Sequence, residues 1–174
     1  MEFIVREYRP ADAAATMRAF RRAVVGSASH DYDAVQTRAW AGHAGSPSEW
    51  NARRMAAHTW VAVPVEDACE GGTPAADGAA LQAATGEPVG FIDVDDDGYI
   101  DMLFVDPSYS RRGVATRLLA QVGRFAANHG VIELRVHASI TARPFFASHG
   151  FRAVETRRPM IGDVAFVNYL MVRP

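Results

Sequence analysis

The sequence predicts a single α/β (α+β) domain, and three observations point to it. Short apolar or alternating runs bounded by Gly, Pro and Asp recur along the chain and read as strands. Amphipathic stretches of helical period lie between them. The length of 174 residues suits one core large enough to bury most of its apolar surface, so one domain over residues 1–174 is expected.

Residues 2 to 7 alternate, with Phe3 and Val5 on one face and Glu2 and Arg6 on the other, and read as a strand that stops before Arg9-Pro10. From Asp12 to about Val25, the spacing of Ala13, Thr16, Met17, Phe20 and Val24 predicts a helix packed on a sheet. A second helix is expected from Asp33 to His43. A third starts at Pro47, because Ser46-Pro47-Ser48-Glu49 combines the capping-box spacing with proline at the first helical position.

His58 to Val63 reads as a strand. From 66 to 87 the composition shifts to Ala, Gly and small polar residues, with Leu81 the only large aliphatic after Val65; such a segment buries too little to offset its ordering, and a mobile loop is expected. Pro88 to Asp93 and Tyr99 to Val105 form a predicted hairpin around the turn Asp95-Asp96-Asp97-Gly98. Next comes a helix with Ala115, Leu118, Leu119, Val122, Phe125 and Ala126 on one face, stopped by Gly130. Ile132 to Ala138 reads as a strand, Thr141 to His149 as a short helix, and Phe151 to Arg157 and Ala165 to Val172 as closing strands.

The composition also excludes functions. The net charge is -2 and no run gathers five or six like charges, so the footprint of a nucleic-acid binder is missing. Cys69 is the only cysteine, which rules out an internal disulfide or a cysteine-rich zinc site and suits a reducing compartment. No metal site is expected. The opening MEFIVREYRP lacks the apolar core of a signal peptide, and no run approaches a membrane span of roughly eighteen apolar residues. A cytoplasmic protein with no membrane partner is therefore expected.

The chemistry concentrates in Met102 to Leu119, MLFVDPSYSRRGVATRLL, where a strand feeds through a glycine turn into a helix N-terminus. The first amides of a helix have no intrahelical partners and sit at the positive end of its dipole, so they can receive a phosphate. Gly113 and Ala115 allow close approach, and Arg111 and Arg112 add charge. By itself this turn is equally a plain loop with solvated arginines. Neither G-x-x-x-x-G-K-[ST] nor a strand-borne G-x-G-x-x-G occurs, so the common nucleotide readings fail.

Leu103-Phe104-Val105-Asp106-Pro107 followed by Arg112-Gly113-Val114-Ala115 resembles the acetyl-CoA signature of the GNAT acetyltransferases. Leu134-Arg135-Val136, Ala142, Phe145-Phe146 and His149-Gly150-Phe151 resemble the strand and short helix that close that family's cofactor cleft. The resemblance implies the GNAT fold, a mixed, mostly antiparallel sheet of about six to seven strands flanked by about four helices. It implies acetyl-CoA as acyl donor, with the backbone of Leu103, Phe104 and Val105 pairing with the pantetheine arm. Amides from Arg111 through Arg112, Gly113, Val114 and Ala115 to Thr116 would hold the pyrophosphate. Ser139 stands where many members have Asn, and Phe146 where many have the Tyr that protonates the departing thiolate; Ser110 replaces a Gln or Arg of the loop.

An amine of lysine type is neutral at pH 7 in only about one part in a few thousand, so a base is wanted. Asp101, sharing a strand face with Tyr99 and Leu103, is the first candidate, with a water-bound or arginine-paired edge carboxylate as the open alternative. Tyr169 on the last strand is the candidate acid, and His137 a second candidate base. Trp40, Trp50 and Trp60 are candidates either for an acceptor pocket or for the core. The expected activity is direct transfer of acetyl to an amine of a small molecule or peptide, and the alternative is a weakly catalytic CoA-binding sensor. Dimers are common among proteins of this resemblance, which leaves a homodimer open.

Overall fold

Among the described residues five strands and three helices precede the glycine turn, and side-chain caps mark the starts of two of the helices. The computed structural model describes residues 1–65 and 86–174. The loop expected over 66–87 and Cys69 therefore lie outside the described residues, apart from the loop's last two positions. Strand β1 (Glu2–Glu7) is followed by α1 (Ala13–Gly26), α2 (Ala34–Gly42) and α3 (Pro47–Ala56). Asp33 caps α2 by accepting from the amides of Val35 and Gln36, and Ser46 caps α3 by accepting from Glu49, so both starts satisfy amides that would otherwise be orphaned.

Then come β2 (His58–Val65), β3 (Gly90–Val94), β4 (Tyr99–Ile100) and β5 (Leu103–Val105). The long amphipathic helix α4 (Val114–His129) ends at Gly130, whose φ of 70° is the left-handed cap. Strand β6 (Leu134–Ser139), α5 (Arg143–Ser148), β7 (Arg152–Arg157), the short pair β8 (Met160–Ile161) and β9 (Val164–Ala165), and β10 (Asn168–Arg173) complete the described chain.

The strands form two four-stranded sheets, ordered β1-β2-β3-β5 and β4-β6-β10-β7, with β8-β9 as a separate pair. All pairings are antiparallel except β4 with β6. The strand count exceeds the expectation for two reasons. The second arm of the predicted hairpin divides into β4 and β5, and a tight turn at Gly162-Asp163 adds β8-β9.

Helices cover both faces of the first sheet. On one side α4 contributes Val114, Leu118, Leu119, Val122 and Phe125 to a core shared with Trp60, Ala62, Ile92 and Val94. On the other, Met17, Phe20 and Val24 of α1 and Trp50 of α3 pack on Val61, Val63 and Phe91. Each such side chain contributes about 2 kcal/mol by leaving water, which is why β2 and β3 are apolar on both faces rather than alternating. The face of β1 that carries Arg6 is covered at that residue: Arg6 is buried and forms a two-pronged ion pair with Asp12, at 2.7 and 2.8 Å.

Candidate active site

The chain leaves one sheet and joins the other at Asp101-Met102. Tyr99 and Ile100 pair in parallel with Arg135 and Val136 of β6, whereas Leu103, Phe104 and Val105 pair with Ile92, Phe91 and Gly90 of β3. Between them the Asp93 carboxylate accepts the Met102 N–H at 2.8 Å, and the Asp93 N–H donates to the Met102 carbonyl at 3.0 Å. A side chain thus takes over from the ladder and fixes the break. Asp93 is fully buried, and its carboxylate lies 2.9 Å from the guanidinium of Arg54, which is buried as well. Burial pushes the Asp93 carboxyl up to about 6, against the pull of Arg54.

Because the chain switches sheets, β5 is an edge strand with one side unpaired, and β6 beyond Val136 is likewise unpaired on the side facing it. A crevice opens there, with a cavity of about 850 Å³. Leu103, Phe104 and Val105 line one wall. Ser139, Ala142, Phe145 and Phe146 line the opposite one. An extended chain with amide groups fits such an edge as an added strand.

At one side of the crevice lies the glycine turn. Arg111 and Gly113 both have positive φ, 61° and 79°, and Gly113 is the N-cap of α4. The first amide to bond back into the helix is that of Arg117, to the Gly113 carbonyl at 3.0 Å, so the N–H groups of Val114, Ala115 and Thr116 have no intrahelical partner. A Cβ built on Gly113 would meet nothing within 4 Å, so the space above these amides is open. Arg111, Gly113, Val114, Ala115 and Thr116 line the cavity. The Arg112 guanidinium instead lies 5.6 Å from the Tyr109 ring, at the rim. Free amides, a helix dipole and two arginines suit a diphosphate.

The structure brings Asp101 into the same cavity but on no strand: it occupies the break, half-exposed, with its carboxylate 3.6 Å from Arg54. Tyr99 and His137 also line the cavity, and the Tyr99 hydroxyl is 2.8 Å from His137 Nδ1. Burial, then the neighbouring Asp101, raises the Tyr99 hydroxyl to about 12. Burial, then the Arg157 guanidinium, lowers the His137 pKa below its ordinary value and favours a neutral ring.

Tyr169 is not brought into the cavity. It is on β10 between Ala138 and Thr156, with the Arg143 guanidinium 4.3 Å from its ring. Ser139 spends its hydroxyl on the Ala142 amide at 3.0 Å, and Phe146 is a buried core residue packed edge-on against Phe151. Of the three tryptophans, Trp40 lines the cavity, while Trp50 and Trp60 belong to the two cores. Sequence reasoning missed Tyr32, Tyr109 and Phe166, which also line it. Their helical or strand periodicity carries no signal, since Tyr32 and Phe166 meet only through contacts spanning most of the chain.

Comparison with known proteins shows the family and the fold. Residues 31–171 match the family model described as acetyltransferase (GNAT) domain. The chain is 36% identical over 167 residues to the uncharacterized N-acetyltransferase YafP of Escherichia coli (strain K12), covering 96% of this chain and 93% of that protein. A GCN5-related N-acetyltransferase from Rhodopseudomonas palustris superposes with a TM-score of 0.84 at 29% identity, covering 99% of this chain and 96% of that one. The PaiA N-acetyltransferase from Thermoplasma acidophilum, solved in complex with coenzyme A, shares the fold with a TM-score of 0.73 at 14% identity, covering 99% of each chain.

Proposed function

Because the chain belongs to the GNAT acetyltransferase family, and is therefore an acetyl-CoA-dependent N-acetyltransferase, we propose that the crevice between β5 and β6 holds the acyl donor and that the amine attacks it there directly. The observation that carries this reading is the parted strand. The free edge of β5 runs toward the unpartnered amides at the start of α4, giving one continuous track for an extended arm and a diphosphate.

In this reading the backbone of Leu103, Phe104 and Val105 pairs with the pantetheine arm. The amides from Arg111 to Thr116 receive the diphosphate, Arg111 and Arg112 neutralise its charge, and Ser139 and Phe146 belong to the facing wall. Asp101 takes a proton from the incoming ammonium, directly or through one water, so that a nitrogen lone pair is free. The new N–C bond forms as the C–S bond breaks, the electron pair leaves on sulfur, and the second proton shed by the nitrogen passes to that thiolate, giving the free thiol, or to solvent. A thiol of ordinary pKa near ~8.5 leaves tolerably as thiolate, so Phe146 in place of a hydroxyl does not prevent turnover. Tyr169 is not among the residues that line the cavity, and this reading assigns it no step.

A cytoplasmic location belongs to the same reading, supported by the lone Cys69. Among the described residues no helix is long and apolar enough to cross a membrane. The acceptor is an amine of a small molecule or peptide.

The test is release of free thiol from acetyl-CoA across a panel of amines, with acylated amine identified by mass. Release by wild type with at least one amine, lost in a variant with Gly113 replaced by a bulky residue, supports the reading. Equal release by that variant contradicts it.

A further inference from the structure

The donor track uses β5, the glycine turn and α5, yet much of the cavity wall comes from elsewhere. Tyr32 before α2, Trp40 on α2 and Phe166 before β10 all line it, together with Phe104 of β5. Their rings form a continuous chain. Tyr32 meets Trp40 edge-on at 5.5 Å and Phe166 at 5.8 Å, while Trp40 meets Phe166 at 6.2 Å and Phe104 at 6.1 Å. Ile161 of the β8-β9 pair adds to the same wall. The aromatic surface thus leads up to the strand proposed to hold the acyl donor.

The polar tip of this wall is already committed. The Tyr32 hydroxyl donates to the Val167 carbonyl at 2.7 Å and accepts the Ile140 N–H at 3.0 Å, which ties the approach to β10 to the end of β6. What Tyr32, 5% exposed, offers the cavity is therefore an edge of its ring; Phe166 is buried too, and Trp40 is the more open member of the wall. Gln36 donates to the Ala165 carbonyl at 2.8 Å and holds the β8-β9 pair against α2, so the wall is anchored from both sides.

Charge narrows the occupant further. Among the described residues that line the cavity, Asp101 is the only carboxylate, whereas Arg53 and Arg111 are cationic and His43 and His137 carry no negative charge. One ammonium group has a partner in Asp101. A second or third, drawn into the cavity beside Arg53, would be desolvated without one, and that is costly.

We infer that the acceptor is a small amine with an aromatic or similarly flat apolar body and a single positive charge, its ring against Tyr32, Trp40 and Phe166 and its nitrogen toward Asp101. The inference rests on the proposed assignment of the donor to β5. It excludes polyamines, multiply charged aminosugars and basic peptide tails as preferred acceptors.

The experiment compares kcat/KM for 2-phenylethylamine, propylamine and spermidine with acetyl-CoA held saturating. Wild type should favour 2-phenylethylamine over propylamine by about tenfold or more, the order of discrimination an apolar pocket supplies, and should use spermidine least. Trp40→Ala and Phe166→Ala should each reduce the 2-phenylethylamine to propylamine ratio by about tenfold. The CoA-induced rise in melting temperature, measured on the same samples, reports that each variant is folded. Should both variants fail to fold, 2-phenylethanol replaces them as a probe of wild type: competitive inhibition against propylamine supports the aromatic wall, and its absence overturns it.

Spermidine used as well as 2-phenylethylamine, or a ratio unchanged in folded variants, overturns the inference and leaves the donor assignment standing. Loss of the donor assignment reads differently, as a wild-type protein whose melting temperature CoA does not move. Absence of release with all three amines counts against both.

Discussion

Asp101 owes its position to neighbours that no local pattern reveals. The buried Arg54 reaches both Asp93 and Asp101, so one guanidinium braces the strand break and faces the carboxylate that lines the cavity. Replacing Asp101 with Asn keeps the shape and removes the base. Turnover should fall by about 10²-fold while the affinity for acetyl-CoA changes little, as steady-state kinetics and calorimetry would show. Wild-type kcat at neutral pH would exclude Asp101 as the base. His137 gives a pH prediction. Its folded pKa lies below the ordinary 6.5, so the folded protein binds fewer protons there than the unfolded chain just below that value. The stability it contributes is complete above pH ~6.5 and is lost as pH falls through the lowered value. Between about pH 7 and about pH 5, wild type should therefore lose more melting temperature than the non-titrating His137→Asn; equal losses would contradict the assignment. The acyl-donor signature that follows Asp101 draws attention to it in the sequence, although its place in the strand break is not legible there; Tyr169, a candidate because the last strand often borders the cleft in the family the sequence resembles, packs against Arg143.

At the scale of elements, the glycine turn and the strand break matter most. Gly113 sits at φ 79°, where an L side chain is strained by about 1 kcal/mol, and a Cβ there would meet no protein atom within 4 Å. The consequence of Gly113→Val is therefore to fill the space above the α4 amides rather than to disturb the core. Calorimetric affinity for CoA should drop by about tenfold or more, with apo stability reduced by about 2 kcal/mol because a β-branched side chain is disfavoured at positive φ; unchanged affinity would refute the phosphate assignment. Arg54→Met acts on the break instead. It leaves the buried Asp93 without its cation and should cost about 3 kcal/mol at pH 7 by urea denaturation, with a smaller cost showing that the pair is not what fixes the break. The caps at Ser46 and Gly130 were readable because each signal is contained within a few residues. The division of residues 99–105 into β4 and β5 was not, since it depends on the Asp93 side chain and on a parallel partner in β6 that lies more than thirty residues onward.

For the molecule as a whole, the two sheets part along one line, and the proposed donor track and the aromatic wall both lie on it. A ligand held by β5 and the start of α4 binds the folded chain alone, so it should stabilise the fold by mass action. Coenzyme A at a hundredfold excess over its Kd should add about 2.7 kcal/mol, seen as a rise of several degrees in melting temperature. The architecture was legible, and so was the turn proposed to hold the donor, because a strand, a glycine and a helix start are adjacent in sequence. The acceptor side was not, because Tyr32, Trp40 and Phe166 converge from both ends of the chain and carry no common spacing. The most direct test of the central claim is a crystal structure with coenzyme A bound. The account predicts diphosphate oxygens within hydrogen-bonding distance of the amides between Arg111 and Thr116 and the pantetheine arm alongside Leu103 to Val105. Coenzyme A bound at any other surface, with the crevice empty, would contradict it.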